Sequence, residues 1–312
     1  MSEPKASLGR QAAYQLANVT KTPPQYEAIT PRWLTRFVEW KALETGVFRL
    51  NRVKEGDTPL EALCSKPDAK ADIPSTFVDY QEKPREYLLN SISVVINIDT
   101  RVSDLYSRPH DQIGEQVRLA VESLKERQES QLINNDDYGL LKNVAQKQRI
   151  ASRSGSPTPD DFDELIAKVW KEPSFFLAHP RAIAAFGREC TRRGVPPPTA
   201  ALFGSQFLTW RGIPIVPTNK LFVDGRKEPQ GQAGKTSILL VRSGEAKQGV
   251  IGLYQANLPG EKSRGLSVRL MGIDGDGIAS YFLSVYCSAA ILTDDAIAAL
   301  EDVDVGNYYD YQ

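Results

Sequence analysis

The spacing of apolar positions changes period several times along the 312 residues, and each change marks an element. In the first 45 residues, Thr22-Pro23-Pro24 and Thr30-Pro31 fix extended backbone, while Trp33, Leu34, Phe37, Val38 and Trp40 gather into an apolar cluster. The segment reads as an extended arm with short helical pieces. It has too little core of its own, so its aromatic side chains need cover from the same subunit or a neighbour.

Residues 46–106 turn to the two-residue period of strands, with VFRLNRV at 47–53 and a long run from Thr76 to Val102 in which Ile92, Val94, Ile96 and Ile98 alternate. A polar, proline-containing excursion separates the two runs. No helix adjacent in sequence covers so long a ribbon. Because an isolated two-stranded hairpin is marginal in water and leaves its pairing edges open, the pattern predicts a ribbon that lies on another chain.

Ser107 to Asn135 then reads as one long helix, with Pro109 in its first turn and Ile113, Val117, Ala120, Val121 and Leu124 at helical spacing. After the SRSGSP break at 152–157, a second helix has Thr158 as cap, Pro159 in the first turn and a stripe of Phe162, Leu165, Ile166, Val169 and Trp170. A third begins at Pro180 and ends at Arg192, Arg193 and Gly194, which suit a helix C-terminus and a left-handed cap. Beyond Pro196-Pro197-Pro198 the pattern is mainly strand: 207–210, 213–216, 237–242, 249–254, 266–273 and 278–288, followed by a last helix begun by Thr293-Asp294-Asp295. This is an α+β order rather than an alternating βαβ one.

Composition narrows the function classes. Lys and Arg (38) nearly cancel Asp and Glu (39), so no broad basic field exists to condense on nucleic acid. Cys64, Cys190 and Cys287 are odd in number and widely separated, which suits reduced core residues in a cytoplasmic protein better than a metal or redox pair. The polar N-terminus lacks the apolar core of a secretory signal. Ile278 to Leu292 carries no charge, but its 15 residues fall short of the roughly 20 of a spanning helix, and its β-branched and aromatic content favours a buried strand.

Candidate chemistry is sparse. Gly234-Lys235-Thr236 ends like a phosphate loop, yet Pro229 occupies the position of the first glycine, so 224–234 reads as a flexible surface loop. Asp274-Gly275-Asp276-Gly277 lacks the distal Glu of a calcium loop and sits where a tight hairpin turn is expected. His110 and His179 each stand beside a proline at a helix start, where imidazole serves as a cap. Paired carboxylates at 136–137 and 160–161 fall at helix ends, as solvated or dipole partners rather than an acid and a base. No catalytic, cofactor-binding or metal-ligating residue is therefore assigned, and the chain does not read as an enzyme.

The order of arm, long ribbon, long helix, mixed lobe and returning strands resembles the Hong Kong 97 phage-type capsid fold. Longer blocks sharpen the likeness: ANVTKTPPQYEAITPRWLTRF at 17–37, TFVDYQEKPREYLLNSIS at 76–93, TRVSDLYSRPHDQIGEQVRLAVESLKERQESQLINN at 100–135, and three others at 158–198, 202–221 and 249–273. Together they resemble the Family 2 encapsulin shell proteins over nearly the whole chain. No segment has room for the inserted cyclic-nucleotide-binding domain of the second subtype, so the chain is similar to subtype 2A.

The resemblance implies an N-arm at 1–45, an E-loop ribbon at 46–106, a P-domain with its spine helix at 107–157, a mainly A-domain segment at 158–260, and return strands with a C-terminal helix and tail at 261–312. It also implies self-assembly into a closed icosahedral shell in the cytoplasm, of about 60 copies (T=1), loaded with a cysteine desulfurase for sulfur metabolism or storage. A prophage-derived capsid without enzyme cargo is the nearest alternative. Expected partners are copies of the chain and that cargo, with no nucleic acid and no membrane. Trp33, Phe37, Trp40, Phe77, Tyr80 and Tyr87 are the expected subunit-interface residues. Asp224, Arg226, Lys227 and Glu228 are the expected pore-loop residues.

Overall fold

A computed structural model describes Gln11 and residues 29–53, 80–100, 112–224 and 234–308. Phe77, Arg226, Lys227, Glu228, Cys64, His110 and the first residues of the predicted long helix lie outside the described residues.

Two sheets organise the molecule. One holds seven strands in the order β5 (Arg149–Ala151), β15 (Ile297–Asp304), β10 (Lys235–Val241), β6 (Phe175–Ala178), β9 (Ile213–Pro217), β8 (Ser205–Trp210) and β7 (Thr199–Leu202). Its central strands are buried on both faces. Ile238, Leu240, Phe176 and Ala178 enter a core beneath helices α3 (Pro159–Lys168) and α4 (Pro180–Arg192), while Leu239, Val241, Phe175 and Leu177 enter a second core shared with the arm. Burial on both faces makes such strands read as unbroken apolar runs, with no alternation to identify them.

The second sheet is built around β14 (Ile278–Ile291). On one side it pairs with β11 (Val250–Gln255) and β13 (Leu266–Ile273), and on the other with β4 (Asn90–Asp99) over ten residues, from Asn90↔Cys287 to Asp99↔Ile278. The uncharged stretch flagged in the sequence is thus a strand. No described helix is long and apolar enough to cross a membrane. One face of this sheet packs on the spine helix, α2 (Gln112–Asn134), through Leu124, Val117 and Val121 against Leu283, Val285 and Ile96.

Local signals in the sequence locate several boundaries. Thr158 and Asp161 form a reciprocal capping box at α3, and the imidazole of His179 caps α4 by accepting from Arg181 N–H at 3.1 Å. Gly194, with φ of +69°, closes α4. Asp274 Oδ1 accepts from the N–H groups of Asp276 and Ile278, making the predicted turn between β13 and β14.

Four expectations are corrected. Thr293-Asp294-Asp295 begins a 3₁₀ turn that leads into β15, not a helix. Asp294 and Asp295 bind Arg52 and Arg242 instead of a helix end, and the IAAL run that follows feeds both cores. Trp170 does not continue the stripe of α3. The helix ends at Lys168, and the indole is 69% exposed. The arm's short helical piece, α1 (Leu34–Phe37), is followed by a strand, β1 (Glu39–Leu43), parallel to β11. Finally, β4 is not without a partner in its own chain, because antiparallel pairing with β14 satisfies one of its edges along its length.

Candidate functional site

The arm is joined to the spine helix by a half-buried ionic cluster. The N–H of Thr30 donates to Glu126 Oε1 at 2.8 Å, Arg32 Nη1 donates to the same oxygen at 3.0 Å, and Lys220 Nζ donates to Oε2 at 2.7 Å. Arg32 also meets Glu122 at 2.6 Å. Burial alone would raise the Glu126 carboxyl, but hydrogen bonds from Lys220 and Thr30 outweigh it and hold the group below the usual carboxylate range. One turn further on, Glu129 accepts from Leu34 N–H at 3.0 Å, and burial pushes its carboxyl up to about 7.

Aromatic packing completes the joint. Trp33 meets Phe207 edge-on at 5.0 Å, and Phe37 lies 5.1–5.8 Å from Phe175, Phe203 and Phe207. Trp40 packs toward Tyr254 at 6.4 Å and donates its indole N–H to Thr35 O at 2.9 Å. A β-carbon on Gly252 would come 2.7 Å from that indole ring, so only glycine fits beneath it.

The short hairpin of β2 (Val47–Leu50) and β3 (Arg85–Leu88) is likewise tied to its own chain. Tyr87 is 4% exposed, donates its hydroxyl to Ile291 O at 2.9 Å and accepts from Ile291 N–H. Of the six predicted interface residues, Trp33 and Tyr87 are thus covered within the subunit. Phe37 and Trp40 are half-covered, and Tyr80, 56% exposed, is free to meet a partner. Asp224, the first pore-loop candidate, bridges through its backbone to Lys235.

Part of what remains uncovered is sheet. The outer edge of β4 has no strand partner among the described residues, and its central Val94 and Val95 are exposed. The far end of β13 adds Leu270, Met271 and Ile273. A ten-residue edge with few charges is a template for pairing with another chain. The sequence had already marked the ribbon as a segment with open pairing edges, but not that β14 would take one edge of β4 and leave the other, nor that the end of β13 would be exposed with it.

The described residues hold no cluster of three or more His, Cys, Asp or Glu placed to hold a metal ion. Cys190 and Cys287 are buried thiols, pushed up by burial to about 11 and about 12 respectively, the reverse of an activated nucleophile. What the described surface offers is the open β4 edge and the exposed apolar end of β13.

Comparison with known proteins agrees. The SrpI-like model of type 2A encapsulin shell proteins matches residues 49–307. The type 2A encapsulin shell protein SrpI of Synechococcus elongatus is 57% identical over 309 residues, 99% of this chain and 98% of that one. The cryo-EM structure of the holo-SrpI encapsulin complex from the same organism superposes with a TM-score of 0.82 at 55% identity, covering 98% of this chain and 100% of that one. At 12% identity the capsid of a native GTA particle still superposes with a TM-score of 0.58 over 96% of this chain and 95% of its own, a likeness of fold alone. The chain belongs to the type 2A encapsulin shell family: it is a non-enzymatic subunit of a capsid-like compartment, built on the Hong Kong 97 phage-type fold.

Proposed function

We propose that copies of this chain close into a T=1 icosahedral shell of about 60 subunits in the cytoplasm, and that the shell encloses a cysteine desulfurase serving sulfur metabolism or storage. The open edge of β4, with Val94 and Val95 exposed at its centre, carries the assembly part of this reading. Burying such a patch against a neighbour contributes about 25 cal/mol per Å² before the cost of association. Repetition around a closed surface makes the modest contacts cooperative. The cargo, the shell size and the setting rest on the family resemblance.

Within this reading, Tyr80 and the half-covered Phe37 and Trp40 meet neighbouring subunits, and Phe77 belongs to the same contact. Trp33 and Tyr87 support it from inside. The loop carrying Asp224, Arg226, Lys227 and Glu228 lines a pore through which small solutes reach the cargo.

Light scattering on purified protein tests the assembly directly. A T=1 shell of 34.6 kDa chains has a mass of about 2 MDa, whereas a monomer or small oligomer at working concentration refutes closure. Co-expression with a cysteine desulfurase from the same genome tests the cargo, which must co-purify with the particle. Unchanged kinetics of the enclosed enzyme after neutralising Arg226, Lys227 and Glu228 would assign the pore elsewhere.

A further inference from the structure

Beside the ionic joint of the arm lies a cleft of about 330 Å³ with a cationic lining. Arg32 and Arg36 come from the arm, Lys125 and Gln128 from the spine helix, and Arg264 from the turn between β12 (Glu261–Ser263) and β13, with Trp40 forming an apolar wall. No carboxylate lines it. Glu122 and Glu126 are committed to Arg32, Lys125 and Lys220. Arg36 stacks over the Trp33 ring at 4.9 Å, and neither it nor Arg264 has a carboxylate partner among the described residues. The cluster therefore carries two guanidinium groups beyond those its acids neutralise.

The backbone supports the placement. Arg32 holds φ of +50°, a left-handed conformation costly for a side chain of this size, and its guanidinium is fixed there by Glu122 and Glu126. Non-glycine residues kept in that region belong disproportionately to binding sites.

We infer that this cleft binds a small, multiply charged oxyanion of the phosphate or pyrophosphate class, received by Arg36 and Arg264 with Arg32 and Lys125 behind them. Guanidinium groups present paired N–H donors that match such oxygens, while the Gln128 amide is turned to the buried Cys287 thiol. The volume lies at the lower end of small-molecule sites, roughly 300 Å³ and above, and suits pyrophosphate better than a bare halide. Because the lining comes from arm, spine helix and β12–β13 turn, a bound anion ties three elements together and stabilises the arm in place. The inference stands whether or not copies of the chain close into a shell.

The test is calorimetric titration of the full-length protein with pyrophosphate, in chloride buffer at constant ionic strength, beside melting curves in the same solutions. Wild type is expected to bind saturably and to melt several degrees higher with pyrophosphate than with matched chloride. Arg36→Gln/Arg264→Gln, which alters two exposed side chains, should bind at least roughly tenfold more weakly, and Arg36→Lys/Arg264→Lys should fall between, keeping charge but losing the paired donors. Absence of saturable binding, or equal binding by the double glutamine variant, overturns the site. So does a cryo-EM map of the assembled protein with an acidic side chain of a second copy filling the cleft. Failure to form particles bears on shell closure alone, since the titration reads the cleft in any soluble form.

Discussion

The backbone N–H of Leu34 donates to Oε1 of Glu129 at 3.0 Å, a contact between residues 95 apart that pins the arm to the spine helix. Glu129 is 1% exposed, and its carboxyl holds a proton to about pH 7 against an ordinary 4.5. Below the lower value both folded and unfolded chains keep that proton. Between the two, only the folded chain does, so its contribution is full at low pH and is lost as pH rises through about 7. Glu129→Gln is expected to flatten this part of the stability profile, removing a decline of about 3 kcal/mol between pH 4 and 8. Urea unfolding at a series of pH values measures it, and an unchanged slope would contradict the assignment.

Tyr87 holds the β2–β3 hairpin to the end of β14 through its hydroxyl. Tyr87→Phe keeps the ring and leaves the Ile291 carbonyl without this donor, at an expected cost of about 1–2 kcal/mol in denaturant unfolding. Faster hydrogen exchange should be confined to the hairpin and its contact with Ile291.

Gly252→Ala drives a methyl group to within 2.7 Å of the Trp40 indole. Overpacking of this kind costs about 1–3 kcal/mol. Because Trp40 is also a wall of the cationic cleft, the variant should shift indole fluorescence and weaken pyrophosphate binding together.

Val95→Lys separates folding from assembly. The side chain is 48% exposed in the single chain, so the substitution should change subunit stability by no more than about 0.5 kcal/mol. A charge at the centre of a free edge opposes strand pairing. Soluble subunits or small oligomers are expected by light scattering, and intact closed particles would show that the β4 edge is not a contact.

Glu115 to Arg118, at 2.8 Å on the spine helix, illustrates what carries little weight in the assembly. It is an exposed i,i+3 pair screened by solvent, and Arg118→Ala should leave both unfolding midpoint and particle mass essentially unchanged.

Read by itself, the sequence determined what depends on neighbours a few residues away. It located the Thr158–Asp161 capping box, the His179 cap, the Gly194 stop, the Asp274 turn and the strands around Ile278, since local hydrogen bonding and side-chain period decide each. Its long blocks also disclosed the family. The tertiary structure decided the rest. Phe175–Ala178 has no alternation because both of its faces are buried, and IAAL at 297–300 became a strand because burial between two cores outweighs helix propensity. The ribbon's choice of its own β14, the parallel pairing of β1 with β11, and the meeting of Arg32, Arg36, Lys125 and Arg264 in one cleft join segments far apart along the chain. Such pairings satisfy backbone and charge over long loops, and no local pattern records which distant partner completes them.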